Sequence, residues 1–396
     1  MRVRGESDFA NDMVGKVFSF SLRLWNSMPL LIFINISSYS ANCRLLIPYP
    51  LILTPFKYYL CPVMEKKRVL VTGAGGFIGR FLQVEGLGRG HDVYGSFRNE
   101  HEKSFLHGGT LGFPLEFSER EALEKRLKDF ADQTGGFEYV IHCAGVTRPD
   151  RMEEFHRGNV EFTEFFLKAL LKTQPAFKKF IFISSLQALG PGDPVTMKPI
   201  DEKTVPQPFT PYGISKFEAE KMIMAIPGLD WIIFRPTSVY GPRDTKFIHQ
   251  IVKLVQKGIA VRLGPKGQLV SFIYVKDLAC ALWDAVDMNV RNQIYVVSDG
   301  NDYDPSQVNQ LLSKHLGIRT VNVRIPKAMV MGIAHIRLFL AGITKKPLHV
   351  SPFKIREITS RNWRVDNSKM VRELNFQPKY TLESGLKDAL TEDKFI

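Results

Sequence analysis

The sequence predicts an α/β fold: a doubly wound parallel sheet with helices on both faces, followed by a smaller C-terminal part. Three observations carry the prediction. Runs such as Phe180–Ile183 and Trp231–Phe234 are apolar at every position, which suits strands buried on both faces. These runs alternate with stretches of helical period, the signature of βαβ units. The cluster Gly73, Gly75, Gly76 and Gly79 lies between the first apolar run and the first helical stretch, where a dinucleotide-binding turn belongs. With 396 residues, 44% hydrophobic and 23% charged, the chain can fill one large α/β domain and an appendage.

Residues 1–63 do not match this pattern. Leu30–Ile36 and Leu45–Leu60 are apolar, but Pro29, Pro48, Pro50 and Pro55 interrupt them. Neither gives the ~18 uninterrupted apolar residues of a spanning helix, and no short charged region leads into an apolar core as in a secretory signal. Met64-Glu65-Lys66-Lys67 runs straight into the first strand. We therefore expect Met64 to be the start of the protein and 1–63 to be translated upstream sequence, with a membrane-associating leader as the alternative.

From there the elements follow in order. Arg68–Val71 reads as a strand, Thr72-Gly73 ends it, and Phe77–Leu82 begins a helix. His91–Phe97 is the second strand, Glu119–Phe130 a helix with a charged face, and Phe137–Ala144 the next strand. Asn159 falls on the helix after it. Phe180–Ile183 is a strand ending in Ser184-Ser185. The Pro- and Gly-rich residues 190–211 form a loop, and a helix carrying Tyr212 and Lys216 follows. Trp231–Pro236 is a further strand. Gln293–Val297 returns late to the same sheet.

The glycines have distinct uses. Gly73 permits the tight turn, Gly76 leaves room for a pyrophosphate, and Gly79 allows close helix packing. The phosphates would rest on the free N–H groups around Phe77 and Ile78 at the helix start. The second strand ends in Phe97-Arg98, where NAD-preferring proteins place an acid for the ribose hydroxyls. A guanidinium suits a 2′-phosphate, so the cofactor reads as NAD(P) with a lean to NADP.

Tyr212 and Lys216 stand at i and i+4 and share a helix face. A phenol is a poor base at neutral pH. A nearby ammonium and a positive nicotinamide ring favour the phenolate, so Tyr212 could exchange a proton with a substrate hydroxyl while hydride moves. Ser185 would orient the reacting oxygen, with Ser184 as the alternative. His142 has no partner at metal-ligand spacing and reads as a core or cofactor-packing residue. The net charge is +13 without a Lys/Arg run, so no nucleic-acid arm is expected. The four cysteines, Cys43, Cys61, Cys143 and Cys280, form no metal-ligand or C-x-x-C spacing. We expect no metal, reduced thiols and a cytoplasmic setting.

Thr72–Gly79, with its Gly-x-x-Gly-x-x-Gly spacing, resembles the turn of the extended short-chain dehydrogenases/reductases, the NAD(P)-dependent epimerase/dehydratase family. His142–Gly145, Ser185–Gly190, Tyr212–Lys216, Arg235–Pro242, Phe272–Leu278 and Asn362–Pro378 are similar to that family's segments in the same order. The resemblance implies a Rossmann-type domain over 64–242 and a mainly substrate-binding part over 243–396, with 271–300 returning to the sheet. It further implies that Ala144, Gly145 and Pro236 lie against the cofactor, that Lys216 holds the nicotinamide ribose, that Ser185, Tyr212 and Lys216 are catalytic, and that the chain is a homodimer through helices including that of Tyr212.

The family's sugar dehydratases carry an acidic pair after the catalytic Ser/Thr. Here Leu186 and Gln187 stand in its place, which disfavours 4,6-dehydration. The expected activity is epimerisation, oxidation or reduction at a secondary alcohol or ketone of a nucleotide-linked sugar. The apolar stretch 325–350 leaves open a 3β-hydroxysteroid-type or dihydroflavonol-type ketone reductase. A non-catalytic NADP-sensing protein is the alternative from another class.

Overall fold

The computed structural model describes residues 65–147, 151–245, 247–326, 328–332 and 352–395. The expectations for 1–63 and Met64, and most of those for 325–350, fall outside these residues. In chain order the elements that position the site are β1 (Arg68–Thr72), α1 (Phe77–Gly88), β2 (Asp92–Phe97), α2 (Glu100–Lys103), β3 (Leu111–Pro114), α3 (Arg120–Thr134) and β4 (Tyr139–His142). Then come α4 (Glu153–His156), a π-helical turn (Arg157–Glu161), α5 (Phe162–Thr173), β5 (Lys179–Ile183), α6 (Pro211–Met224), β6 (Trp231–Pro236) and β7 (Ser238–Tyr240). After α7 (Ile248–Gln256), β8 (Ile259–Arg262), β9 (Leu269–Val270) and β10 (Phe272–Tyr274), α8 (Val275–Asp287) leads back to β11 (Gln293–Val297). The chain closes with α9 (Ser306–Leu316), β12 (Val321–Arg324), α10 (Pro352–Thr359), β13 (Asn362–Trp363), α11 (Ser368–Leu374) and α12 (Leu382–Glu392).

Seven strands form one parallel sheet in the order β11-β6-β5-β4-β1-β2-β3. The chain direction across the sheet reverses between β1 and β4, so the crevice beyond their C-terminal ends is the ligand-binding position of such a sheet. Alternation within each strand divides the core in two. Val69, Val71, Ile181, Ile232 and Phe234 pack with Leu82, Leu282 and Trp283 of α1 and α8. Leu70, Phe180, Phe182 and Ile233 pack with Leu127, Phe166, Leu170, Ala219 and Ile223 of α3, α5 and α6. Each such side chain contributes roughly 1.5–3 kcal/mol by leaving water.

α8 crosses back under the sheet and is fastened twice near its C-terminal end. The Trp283 ring lies against Gly86, where an added Cβ would sit 2.0 Å from Cζ2, and its indole N–H donates to the Leu82 carbonyl at 2.8 Å. Within the next turn Lys179 Nζ donates to the carbonyls of Ala285 and Met288 at 2.8 and 2.9 Å. A third core, with Tyr240, Val252, Phe272, Tyr274, Leu312 and Leu386, builds the part beyond the sheet. No helix among the described residues is long and apolar enough to cross a membrane.

Candidate active site

Backbone geometry decides what the glycine turn can hold. Gly73 has φ +65°, and a Cβ there would lie 2.8 Å from Ala144 N; only glycine brings the end of β1 against the end of β4. At Gly79 a Cβ would lie 2.2 Å from the Gly73 carbonyl, so the α1 helix seats on the turn itself. Gly76 is the N-cap of α1. No side chain caps this helix and its first turn carries no acid, which leaves the N–H groups around Phe77 and Ile78 for an anion. Ala144 N donates to Thr72 Oγ1 at 3.1 Å, and Gly145 lies at the exposed lip of the crevice. Pro236 closes β6 beside Val297. A cradle without side chains, fronted by uncapped N–H groups, fits a dinucleotide pyrophosphate.

His142 is 2% exposed. Its ring bonds to Thr72 Oγ1 at 2.9 Å and Thr163 Oγ1 at 3.1 Å, and burial, with Lys216 nearby, pushes its pKa down to about 3. It is a neutral core histidine joining β1, β4 and α5. Asn159 is 1% exposed, not on a helix surface. It sits in the π-helical turn, accepts from Val146 N at 2.7 Å and donates to Ser215 Oγ at 3.0 Å.

α6 starts on a fixed platform. Thr210 Oγ1 accepts from Gly213 N at 2.9 Å, capping the helix, and donates to Gln187 Oε1 at 2.9 Å. Gly213 is required because a Cβ would lie 2.4 Å from the Gln187 carbonyl. This brings half-buried Tyr212 beside the Ser185 side chain, which favours the phenolate. Ser184 faces the other way and donates to buried Glu220, so Ser185 is the serine beside Tyr212. Lys216 Nζ donates to the Ile183 carbonyl at 2.8 Å and sits 4.4 Å above the Phe182 ring. A Cβ on Gly145 would lie 3.5 Å from this nitrogen, so Lys216 spans from β5 to the crevice.

The electrostatics differ from the sequence expectation. Burial pushes the Tyr212 phenol above its ordinary range, with Cys143 and Glu357 raising it and Ser185 lowering it. Burial pulls Lys216 itself down to about 8. The protein alone therefore keeps Tyr212 protonated.

Three acids were missed in the sequence. Glu220, at i+8 from Tyr212, takes the Arg235 guanidinium in a buried pair, with Nη2–Oε2 2.6 Å and Nε–Oε1 3.0 Å. The i, i+4, i+8 spacing could have found it. Glu102, at i+4 from Arg98, holds that guanidinium. Glu357 arrives from α10 and accepts from Gln187 Nε2 at 3.1 Å, a contact across 170 positions with no local signal. Leu186 is buried, and the Gln187 amide is committed to Thr210 and Glu357. Among the described residues the free cysteines are Cys143 and Cys280.

Comparison with known proteins adds the following. The sequence profile of the NAD dependent epimerase/dehydratase family matches residues 69–298. A 4-hydroxy-2-methyl-3-oxo-4-farnesyl-3,4-dihydroquinoline-1-oxide ketoreductase of Stigmatella aurantiaca is 24% identical over 82% of this chain and 96% of its own. A UDP-glucose 4-epimerase of Vibrio cholerae is 28% identical over 81% of this chain and 94% of its own. The crystal structure of the Thermus thermophilus UDP-glucose 4-epimerase complex with NAD superposes with a TM-score of 0.65 at 20% identity, covering 83% of this chain and 99% of that one.

Proposed function

The chain belongs to the NAD-dependent epimerase/dehydratase family, and from that footing we propose that it is an enzyme moving hydride at a secondary alcohol or ketone, with a nucleotide-linked sugar as substrate. The observation that carries the reading is the placement of Tyr212 beside Ser185 and Lys216, at the mouth of a crevice that fits a dinucleotide. When bound, the nicotinamide supplies the hydride in reduction or accepts it in oxidation.

The chain's own groups do the rest. Ser185 Oγ orients the substrate oxygen. In reduction Tyr212 gives its phenolic proton to that oxygen as the carbon receives hydride; in oxidation it takes the proton back. Its raised pKa suits the acid role. The base role is favoured by positive charge, from the Lys216 ammonium and, when bound, from the oxidised nicotinamide ring. Lys216 reaches the ribose side of the crevice. The glycine turn and the backbone at Phe77, Ile78, Ala144, Gly145 and Pro236 hold the cofactor, NAD(P), and Arg98 is the residue that would meet the 2′-phosphate of NADP. Substrate specificity resides in 243–396 outside 271–300. Exposed Leu171 on α5 and Ile214 on α6 support a homodimer through these helices.

The ketoreductase relative supports a second substrate reading, a hydrophobic ketone. Both are tested by assaying interconversion of UDP-hexoses and NAD(P)H-dependent reduction of prenylated and steroid ketones. Tyr212→Phe should keep cofactor affinity and lose about 10²–10⁴-fold in turnover; turnover near that of the parent protein would refute the site. Stoichiometric NAD⁺ released on denaturation would mark an epimerase, and a cofactor exchanged at every turnover a reductase.

A further inference from the structure

Arg98 and its surroundings carry more than the sequence motif does. The residue directly follows β2, and β2 lies beside the glycine turn: Ser96 Oγ accepts from Gly73 N at 3.0 Å. The short α2 helix then folds over the same turn. A Cβ on Gly75 would lie 3.5 Å from the Glu102 carbonyl and 3.4 Å from Phe105 Cβ. This is the end of the crevice that takes an adenosine ribose in a sheet of this order. Glu102 is set there by its own backbone, whose N–H donates to Asn99 Oδ1 at 2.9 Å.

Its carboxylate is spent on Arg98 three times. Oε2 accepts from Arg98 N at 2.9 Å, Oε1 accepts from Nε at 2.8 Å, and Oε1 also takes Nη2. Apart from Glu102, with Glu116 acting from further off, the Arg98 side chain faces solvent. The hydrogen bonds favour the charged form of both partners, raising Arg98 and lowering Glu102. The guanidinium that reads from sequence as a 2′-phosphate receptor is therefore already neutralised by a carboxylate at the same corner.

Resting on the reading of this crevice as an NAD(P) site, we propose that Glu102 is the residue that sets cofactor choice, and that it selects NAD(H) over NADP(H). A bare ribose offers hydroxyl donors, which a carboxylate accepts while Arg98 stays paired. A 2′-phosphate brings about two negative charges against the Glu102 charge and has to displace it from Arg98. The acid of an NAD-type site thus comes from the helix after β2, five residues beyond Phe97 at the strand end.

The test is direct titration of the purified full chain with NADH and NADPH, read by nicotinamide fluorescence, so that binding is measured without turnover. The parent protein should bind NADH more tightly. Glu102→Gln keeps the shape and removes the charge; it should tighten NADPH by about tenfold and weaken NADH by about tenfold, since the ribose hydroxyls lose a charged acceptor. Adding Arg98→Ala to that variant should abolish the gain. An unchanged NADH:NADPH ratio in Glu102→Gln, or a parent protein that prefers NADPH, would overturn the proposal while leaving the hydride-transfer reading intact. Binding of neither nucleotide would overturn that reading and this one with it.

Discussion

At the scale of single residues, the buried Glu220–Arg235 pair is the most exacting feature. Glu220 is fully buried and Arg235 3% exposed, and Ser184 donates to the same carboxylate. Glu220→Leu would leave a guanidinium buried without its counter-charge, which costs about 3–5 kcal/mol. Urea denaturation should show a loss of that size; a loss under about 1 kcal/mol would mean that water reaches Arg235. Tyr212, Lys216 and Ser185 were legible in the sequence because their relation is local, a helix turn and a strand end. Arg98 was legible too, but its meaning was not, because a carboxylate four residues on changes what a guanidinium offers. Glu357 was illegible: its approach to Gln187 depends on how α10 docks.

At the scale of elements, His142 links β1, β4 and α5 and gives that junction a pH dependence. Its folded pKa is near 3, against about 6.5 in an unfolded chain. Below about 6.5 the unfolded state takes up a proton that the folded state refuses, so stability is complete above that pH and falls as pH drops towards 3. Denaturation of the parent protein and His142→Asn between pH 7 and 4, in steps of about one unit, should give a shallower slope for the variant. Parallel slopes would refute the assignment. The elements were largely readable because fully apolar runs mark central strands. β6 and β11 have the expected bounds, whereas α1 runs on to Gly88 and α3 to Thr134. The π-helical turn around Asn159 was not readable, since no residue pattern distinguishes one added residue in a helix.

At the scale of the molecule, the return of α8 and β11 joins the late chain to the first helix. Gly86→Ala would drive a methyl group into the Trp283 ring, which is itself fully buried and held by the Leu82 carbonyl. Overpacking of this kind costs about 1–3 kcal/mol, measurable as a lower thermal midpoint; an unchanged midpoint would show that α1 and α8 slide apart freely. The sheet order was legible only as a class, because a sequence states which runs are strands and not which neighbours they choose.

That topology also has a consequence for the protein as it is made. A ribosome delivers β6 well before β11, with the whole of β7–β10 in between. Until Gln293–Val297 emerges, β6 presents an unpaired edge and the underside of β5 lacks α8. At about 5–20 residues per second the half-built sheet waits several seconds with a hydrophobic edge open to any passing strand. That exposed edge is the part of the growing sheet most open to mispairing until α8 and β11 arrive.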